Sequence, residues 1–213
     1  MSSALPKLYP ILDTACFRAC PDPTGALLAF ARELLAGGAT LLQYRNKDGS
    51  AREMLSHARE LRRLCGTAAL GCGVRLIMDD RADLCLAAGF DGVHVGQDDL
   101  SPEGARLVVG DVRWVGVSTH NPQQVREADR WPVDYVAVGP VFATSTKAHP
   151  DPVIGLDGVR TARELTRKPL VAIGGITRAN GRLVLEAGAD SLAVIGDLLA
   201  EPRKAVEEFL RLL

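Results

Sequence analysis

Three aspartates in the sequence are candidate ligands for a divalent cation. Asp79 and Asp80 are adjacent, directly after a short apolar run, and Asp99 follows the next such run. Carboxylates that lie close together without a counter-ion repel one another, and a hard cation removes that repulsion. Mg2+ is commonly bound by one or two carboxylates together with phosphate oxygens of a substrate. The alternative is helix capping, by Asp80 at one helix and by Asp98 or Asp99 at the next, since Asp is a favoured N-cap residue.

Cationic side chains follow an earlier apolar run. Arg45 and Lys47 are two residues apart, so both project from one side of an extended strand end, and Gln43 shares that side. Lys147 lies in a long segment rich in Thr, Pro and Asp that can reach the same place. Three cations and an amide suit a diphosphate, which carries several charges. Any one of these cations alone would more commonly be a solvated surface residue.

Glycines follow the last two apolar runs. Gly174 and Gly175 come after one, and Gly196 comes after the other. Glycines at these points leave backbone N–H groups open to an anion at a helix N-terminus. Each glycine alone could simply form a tight turn, but two adjacent loops of this kind favour a phosphate site.

The histidines offer little nucleophilic or metal chemistry. His94 lies within an apolar run and is interpreted as a core or pore residue, whereas His57 falls in a helical segment and is expected at the surface. His120 follows an apolar run and is the histidine with a plausible acid–base role. His149 lies in the long polar segment and is interpreted as solvated. Neither a Ser-His-Asp arrangement nor an HExxH motif is present.

The elements that must position these residues alternate regularly along the chain. Short, almost continuously apolar runs are typical of parallel strands buried on both faces. The predicted strands are 8–12, 40–44, 74–78, 92–95, 113–117, 135–138, 170–173 and 191–195. The predicted helices are 24–36, 50–64, 82–88, 101–109, 121–128, 156–165, 178–187 and 202–210. Helix-start signals include Ser50 with Glu53, and Asn121-Pro122 with Gln124.

Eight strands alternating with eight helices predict an α/β fold, a (β/α)8 TIM barrel, with residues 1–213 forming a single catalytic domain. An open doubly wound sheet is the alternative, but no GxGxxG follows the first strand. In a barrel the active site lies at the C-terminal ends of the strands, where all of the residues above fall. The long connection 142–154 is expected to be functional, as long loops in compact domains usually are.

Composition narrows the possible partners. A formal net charge of −1 gives no basic face for nucleic acid, and 47% hydrophobic residues suffice for a large core. No signal peptide and no apolar stretch of roughly 18 residues is found, so neither secretion nor a membrane span is expected. Five cysteines without CxxC spacing indicate free thiols in a reducing cytoplasm. Small-molecule substrates are therefore expected, with no obligate protein partner evident.

The chain resembles the thiamine-phosphate synthase family over nearly its whole length. The matching stretches, in order, are LLQYRNK (41–47), LIMDDRADLCLAAGFDGVHVGQDD, GVSTHN, YVAVGPVFATSTK, VAIGGI and SLAVIG. Each is a modest signal alone, but their order at successive predicted strand ends is specific. The resemblance implies a cytoplasmic transferase that joins 4-amino-2-methyl-5-hydroxymethylpyrimidine diphosphate to 4-methyl-5-(2-phosphoethyl)thiazole, or its carboxylated form. The products would be thiamine phosphate and diphosphate.

The resemblance also implies roles for individual residues. The pyrimidine diphosphate would be bound by Gln43, Arg45, Lys47, Asp79, Ser118 and Lys147, of which Arg45, Lys47, Ser118 and Lys147 would be catalytic. One Mg2+ per subunit would be held by Asp80 and Asp99. The thiazole phosphate would be held by Thr144, Thr146, Gly175, Ile195 and Gly196.

Two positions depart from the family pattern. The family usually has Asn-Asp where this chain has Asp79-Asp80, so Asp79 either weakens a diphosphate contact or serves the metal. The family often has Ser where Gly196 stands, so a backbone contact is retained and a hydroxyl contact is lost.

Two other functions fit parts of the pattern. A thiazole tautomerase on a similar barrel could use His120 as acid–base group, but it would not need a metal and diphosphate site. A phosphate-ester-binding barrel without turnover would retain the glycine loops and not need Asp80 and Asp99.

Overall fold

Eight parallel strands form a closed barrel in the computed structural model, which describes residues 5–67, 73–144 and 151–212. Each strand pairs with the next in sequence, and β8 pairs with β1. The strands are β1 Leu8–Asp13, β2 Leu41–Arg45, β3 Arg75–Asp79, β4 Gly92–Val95, β5 Trp114–Thr119, β6 Tyr135–Val138, β7 Leu170–Ile173 and β8 Ser191–Val194. The predicted (β/α)8 barrel is confirmed, and the open sheet is excluded.

Helices surround the barrel in the alternation that the sequence predicts. They are α1 Pro23–Ala36, α2 Ala51–Thr67, α3 Ala82–Ala87, α4 Pro102–Val109, α5 Pro122–Arg130, α6 Gly155–Leu165, α7 Gly181–Glu186 and α8 Pro202–Leu212. Two short 3-10 helices, Thr14–Phe17 and Gly196–Leu198, follow β1 and β8. The largest boundary errors are three residues, at two helices: α2 ends at Thr67 and not at Leu64, and α7 begins at Gly181 because Arg178 pairs with Asp197 instead of starting the helix.

Side chains alternate across each strand between two cores. In β2, Leu42 and Tyr44 pack between barrel and helices, whereas Leu41 belongs to the cluster that fills the barrel interior. That interior cluster comprises Tyr9, Ile11, Leu41, Ile77, Tyr135, Ala137, Val171 and Ala193. The same alternation directs Gln43 and Arg45 into the barrel and towards its C-terminal mouth.

The helix caps test the alternative reading of the aspartates. The N-cap residue of α3 is Arg81, without a side-chain cap, and α4 is capped by Ser101, whose Oγ accepts from Gly104 N–H at 3.1 Å. Capping by Asp80, Asp98 or Asp99 is therefore wrong. The predicted caps Ser50 and Asn121 are confirmed: they accept from Glu53 N–H at 3.2 Å and Gln124 N–H at 3.0 Å.

Three Arg–Asp pairs fasten the N-terminal mouth of the barrel. The pairs are Arg62–Asp91, Arg106–Asp134 and Arg163–Asp190, with N···O distances of 2.6, 2.5 and 2.8 Å. Each aspartate precedes an even-numbered strand, and its Oδ2 also accepts a backbone N–H at the start of the preceding strand. Each of the three aspartates therefore links one helix to two neighbouring strands.

His57 corrects one sequence-based expectation. It was expected at the surface, but it is buried between α1 and β2: its Nδ1 lies 2.9 Å from Tyr44 Oη and its Nε2 lies 2.9 Å from Thr24 Oγ1. Polar partners on two neighbouring elements make this burial possible, and they are not visible in the periodicity of α2.

No helix within the described ranges is long and apolar enough to cross a membrane. The cysteines Cys16, Cys20, Cys65 and Cys85 are free thiols, and Cys72 lies outside the described residues.

Candidate active site

A cavity of about 610 Å³ opens at the C-terminal mouth of the barrel. Its wall includes most of the described residues that the sequence singled out: Gln43, Arg45, Lys47, Asp79, Asp80, Asp99, Ser118, His120, Thr144, Gly174 and Ile195. The barrel thus brings together residues that are up to 152 positions apart in the chain, from Gln43 to Ile195.

The carboxylates and cations occupy one side of this mouth, at the ends of β2, β3 and β4. Lys47 Nζ donates a hydrogen bond to Asp80 and lies 3.4 Å from Asp79 Oδ2, which is also 3.7 Å from Arg45 Nε. Arg45 in addition pairs with the buried carboxylate of Asp13 at the end of β1. Two cations and several carboxylates therefore form a connected network at the point predicted for a diphosphate and a metal.

The pKa values show how unusual this cluster is. Burial, and then the neighbouring charge of Asp80, raises the pKa of Asp79 to about 7. Burial, together with the hydrogen bond to Asp99, raises the pKa of Asp80. Although burial opposes it, the hydrogen bond with Asp80 lowers the pKa of Asp99. Without a further cation, repulsion therefore disfavours the state in which all three carboxyl groups are ionised.

Two local features of β3's end fit a bound cation. Asp79 Oδ2 is buried and has no hydrogen-bond partner within the described part of the chain. Asp80 adopts a left-handed backbone conformation, with φ of 59°, that is uncommon for residues other than glycine. Such backbone strain clusters at functional sites, and here the strained residue presents a carboxylate to Lys47 and Asp99.

The donor set suits a hard cation that shares its coordination with a ligand. Within the described ranges, no group of three or more His, Cys, Asp or Glu residues could enclose a metal ion. Mg2+ characteristically takes only one or two carboxylates and completes its coordination with water and phosphate oxygens. Asp80 and Asp99, whose carboxyl groups lie within hydrogen-bonding distance of each other, are the residues that would hold Mg2+.

A polar layer lies beneath the cluster, inside the barrel. Ser118 Oγ lies 2.8 Å from His94 Nε2, and Gln43 Nε2 donates to Tyr9 Oη at 3.0 Å. Burial, reinforced by the charge of Lys47, lowers the pKa of His94 to about 4, so its ring is neutral near pH 7. The interpretation of His94 as a core or pore residue is confirmed, and Ser118 and Gln43 are held rigidly at the cavity floor.

The other side of the mouth is built from glycine loops after β7 and β8. Gly174 and Gly175 have φ values of 101° and 62°, and an added Cβ would lie 2.5 Å from Pro140 Cβ or from Ala143 O, respectively. Only glycine fits there. Gly174 and Ile195 line the cavity, and Gly175 and Gly196 are the next residues along the chain.

The connection between β6 and α6 reaches the cavity from both of its described ends. Thr144 and Asp151 line the wall, and His120 Nδ1 lies 2.7 Å from Gly139 O and 3.5 Å from Asp151 Oδ2. Thr146 and Lys147, predicted to bind the two phosphorylated groups, lie outside the described residues, as does His149.

Sequence reasoning missed several residues of the site. Tyr9 and Tyr135 lie in runs that read as plain apolar strands, and Asp13 ends a strand without an obvious partner. Gln97 donates to Ser118 O at 2.5 Å and stands in the stretch VHVGQDD, whose polar end could have indicated it.

The fold and the site together define a (β/α)8 barrel whose C-terminal mouth bears clustered carboxylates and cations. The sequence model of the family described as "Thiamine monophosphate synthase" matches residues 8–198. A protein named thiamine-phosphate synthase from Koribacter versatilis is 64% identical over 210 residues, covering 98% of this chain and 96% of that protein. Another of the same name, from Chloroflexus aurantiacus, is 48% identical over 78% of this chain and 74% of that protein.

A solved structure supports the same assignment. Thiamine phosphate pyrophosphorylase from Pyrococcus furiosus superposes with a TM-score of 0.82 and 34% identity, covering 97% of this chain and 94% of that chain. The chain belongs to the thiamine-phosphate synthase family, whose members are transferases of thiamine biosynthesis.

Proposed function

We propose that this enzyme condenses 4-amino-2-methyl-5-hydroxymethylpyrimidine diphosphate with 4-methyl-5-(2-phosphoethyl)thiazole in a Mg2+-dependent reaction. The observation that carries the proposal is the pairing of a strained, carboxylate-rich cluster with glycine loops across one cavity of about 610 Å³. A cavity of that size accommodates small molecules. We propose the carboxylated thiazole phosphate as a second candidate substrate and the cytoplasm as the site of action.

The diphosphate half of the site is formed by strands β2 to β4. Arg45 and Lys47 would bind the diphosphate oxygens, and Lys147 would join them from the β6–α6 connection. Asp80 and Asp99 would hold Mg2+, which when bound neutralises charge on the departing diphosphate. Asp79, 3.4 Å from Lys47 Nζ, would orient the Lys47 ammonium group or supply a further oxygen ligand to Mg2+.

The monophosphate half is formed by β7, β8 and the β6–α6 connection. Backbone N–H groups of Gly175, Ile195 and Gly196, with Thr144 and Thr146, would hold the phosphate of the thiazole. The left-handed glycines allow the backbone to come close to an anion. This half would keep the thiazole nitrogen facing the pyrimidine.

The chemistry proposed is a dissociative displacement. The C–O bond to the diphosphate breaks first, and the 4-amino group of the pyrimidine spreads the positive charge left on the methylene carbon. The thiazole nitrogen then donates its lone pair to that carbon and forms the new C–N bond. The residues contribute positioning and charge neutralisation, which suffice when no covalent enzyme intermediate is formed.

The direct test mixes both substrates with the enzyme and Mg2+ and measures thiamine phosphate and diphosphate. Equal amounts of the two products are expected.

Arg45→Ala and Lys147→Ala should lower turnover more than they weaken binding of the thiazole phosphate, while Lys204→Ala on the outer helix α8 serves as control. Unchanged activity in both cavity variants would contradict the proposal. Isomerisation of a thiazole without diphosphate release would identify a tautomerase, and binding without any product would identify a binding barrel.

A further inference from the structure

Inside the barrel, a chain of hydrogen bonds connects β1, β2, β4, β5 and β6. Gln43 Nε2 donates to Tyr9 Oη at 3.0 Å, and Tyr9 Oη lies 2.9 Å from Tyr135 Oη. Tyr135 Oη lies 3.1 Å from His94 Nδ1, and His94 Nε2 lies 2.8 Å from Ser118 Oγ. The chain begins and ends at the cavity-lining side chains Gln43 and Ser118. Tyr9 and His94 also reach the cavity wall, whereas Tyr135 does not, and both tyrosines are almost fully buried.

The strands are built to hold this chain in place. Gly116 pairs with His94 on one side and with Tyr135 on the other, so it separates the two rings across the sheet. An added Cβ on Gly116 would lie 2.1 Å from Tyr135 Cζ. The missing side chain lets Tyr135 stack on His94, with ring centroids 5.5 Å apart and planes 22° apart.

Every buried hydroxyl and ring nitrogen in this chain has a hydrogen-bond partner only if the donors point from Gln43 towards Ser118. Because the Gln43 amide nitrogen can only donate, Tyr9 accepts from it and gives its own hydrogen to Tyr135. Tyr135 then donates to His94 Nδ1, so the neutral ring carries its hydrogen on Nε2 and donates it to Ser118 Oγ. Ser118 keeps its own hydrogen for an acceptor in the cavity.

The opposite direction leaves a buried group unsatisfied. If His94 Nδ1 donated to Tyr135, Tyr9 would accept from both Tyr135 and Gln43. Its hydrogen would then find no acceptor among the described contacts, and an unsatisfied buried donor is costly. Ser118 would in that case donate to His94 and offer the cavity only a lone pair.

We propose that Tyr135 is a positioning residue that fixes His94 as the Nε2–H tautomer and thereby makes Ser118 a hydrogen-bond donor towards the ligand. A donor at this point selects a heteroaromatic ring nitrogen with a lone pair over a ring position that bears hydrogen. The inference rests on the proposed function for the identity of that ring, a pyrimidine, but the direction of the chain belongs to the ligand-free protein. Sites that must satisfy a buried polar group discriminate strongly against ligands lacking the partner.

Nitrogen-15 NMR of the histidine rings tests the tautomer without any substrate, with His94 signals identified by their loss in His94→Gln. The wild-type ring should be protonated at Nε2, and Tyr135→Phe should abolish this single tautomer. Tyr44→Phe is the matched control: it removes another buried hydroxyl bonded to a histidine, His57, outside the cavity wall. It should leave the His94 signals unchanged. A wild-type ring protonated at Nδ1 would overturn the proposal.

Kinetics test the consequence for Ser118. In the wild type, Ser118→Ala should raise KM for the pyrimidine diphosphate about threefold to tenfold, because the loss of one hydrogen bond weakens binding by about that factor. In the Tyr135→Phe background the same change should have almost no effect, and KM for the thiazole phosphate should stay constant throughout. An equal Ser118→Ala effect in both backgrounds would overturn the positioning role.

A second variant covers the case in which Tyr135→Phe does not fold. Tyr9→Phe keeps the Tyr135 donor, so it should retain the Nε2–H tautomer of His94; a switch to Nδ1–H in this variant would overturn the inference. If the enzyme makes no thiamine phosphate, the proposed function fails, while the tautomer measurement still decides the direction of the chain.

Discussion

At the N-terminal mouth of the barrel, Asp91, Asp134 and Asp190 each lie between an arginine and a backbone N–H. At the C-terminal mouth, Asp79 has a buried oxygen that accepts no hydrogen bond from any residue the structure describes. The first mouth uses aspartates from alternate loops, each with its own cation. The second places Asp80 and Asp99 within hydrogen-bonding distance of each other.

We interpret the difference as one between charges that stabilise the fold and charges that are available to bind a ligand. In barrels of this type the N-terminal face serves stability and the C-terminal face serves catalysis. At the C-terminal mouth, like charges and a strained backbone oppose folding near neutral pH, and the raised pKa values of Asp79 and Asp80 reflect the cost of ionising these carboxyl groups there. A bound cation would offset the repulsion between the carboxylates, and a diphosphate would pair with Arg45 and Lys47.

The largest expected effect is on turnover at the C-terminal mouth. Asp80→Asn should lower kcat/KM for the pyrimidine diphosphate by about 100-fold or more, because it removes a charge that holds the metal. The unfolding free energy should change by less than about 1 kcal/mol, since repulsion by neighbouring carboxylates is relieved as the Lys47 contact weakens. Asp83→Asn on α3, outside the cavity wall, is the control. Full activity of the Asp80→Asn variant would show that Asp80 is not needed to hold the metal.

The counterpart at the N-terminal mouth should affect stability and not turnover. Asp134→Ala removes the carboxylate that accepts from the Val115 N–H at 2.7 Å and from Arg106 Nη2 at 2.5 Å. We expect a loss of about 1–3 kcal/mol in urea unfolding with kcat unchanged. Asp157→Ala, in an exposed pair with Arg160, should have no measurable effect on stability. A large fall in kcat without loss of stability would contradict the division between the two mouths.

Asp79, at the C-terminal mouth, gives the stability of the protein a pH dependence. Its pKa is raised to about 7, so from about pH 4 to pH 7 the folded protein holds a proton that the unfolded chain has released. The resulting stability is complete below about pH 4 and is lost as the pH rises through 7. Asp79→Asn should remove this component.

The measurement is urea unfolding of metal-free wild type and Asp79→Asn at pH 5 and pH 8. The variant should gain stability relative to the wild type on going to pH 8. A constant difference between the two proteins across this range would show that Asp79 is ionised throughout.

The smallest effect is expected at Gly196, where the family often has Ser. An added Cβ there meets no atom of the described residues within 4 Å, so Gly196→Ser should fold normally. KM for the thiazole phosphate should change by no more than about threefold, since at most one hydrogen bond is added. A severe loss of thiazole phosphate binding would show that the open backbone itself is needed.

The fold could be predicted from sequence because barrel strands buried on both faces are read directly as apolar runs, such as β6 and β7. The polar residues that follow those runs must then meet at one mouth, which is why Arg45, Asp80 and Ser118 could be brought together without coordinates.

Other features depend on tertiary contacts that no local pattern contains. Tyr9 and Tyr135 resemble ordinary core residues until strand pairing shows Gly116 making room between His94 and Tyr135. Asp80 has a left-handed backbone conformation and does not cap α3, which was the alternative to a metal-binding role. His57 is buried because Thr24 and Tyr44 supply its partners.

The most direct measurement of the central claim is the initial rate of thiamine phosphate formation as Mg2+ is added to metal-free enzyme with both substrates. We expect almost no product without the cation and a rate that rises to saturation as Mg2+ is added. A full rate in the presence of excess EDTA, unchanged by Mg2+, would contradict the assignment of Asp80 and Asp99 and the role given to the C-terminal mouth.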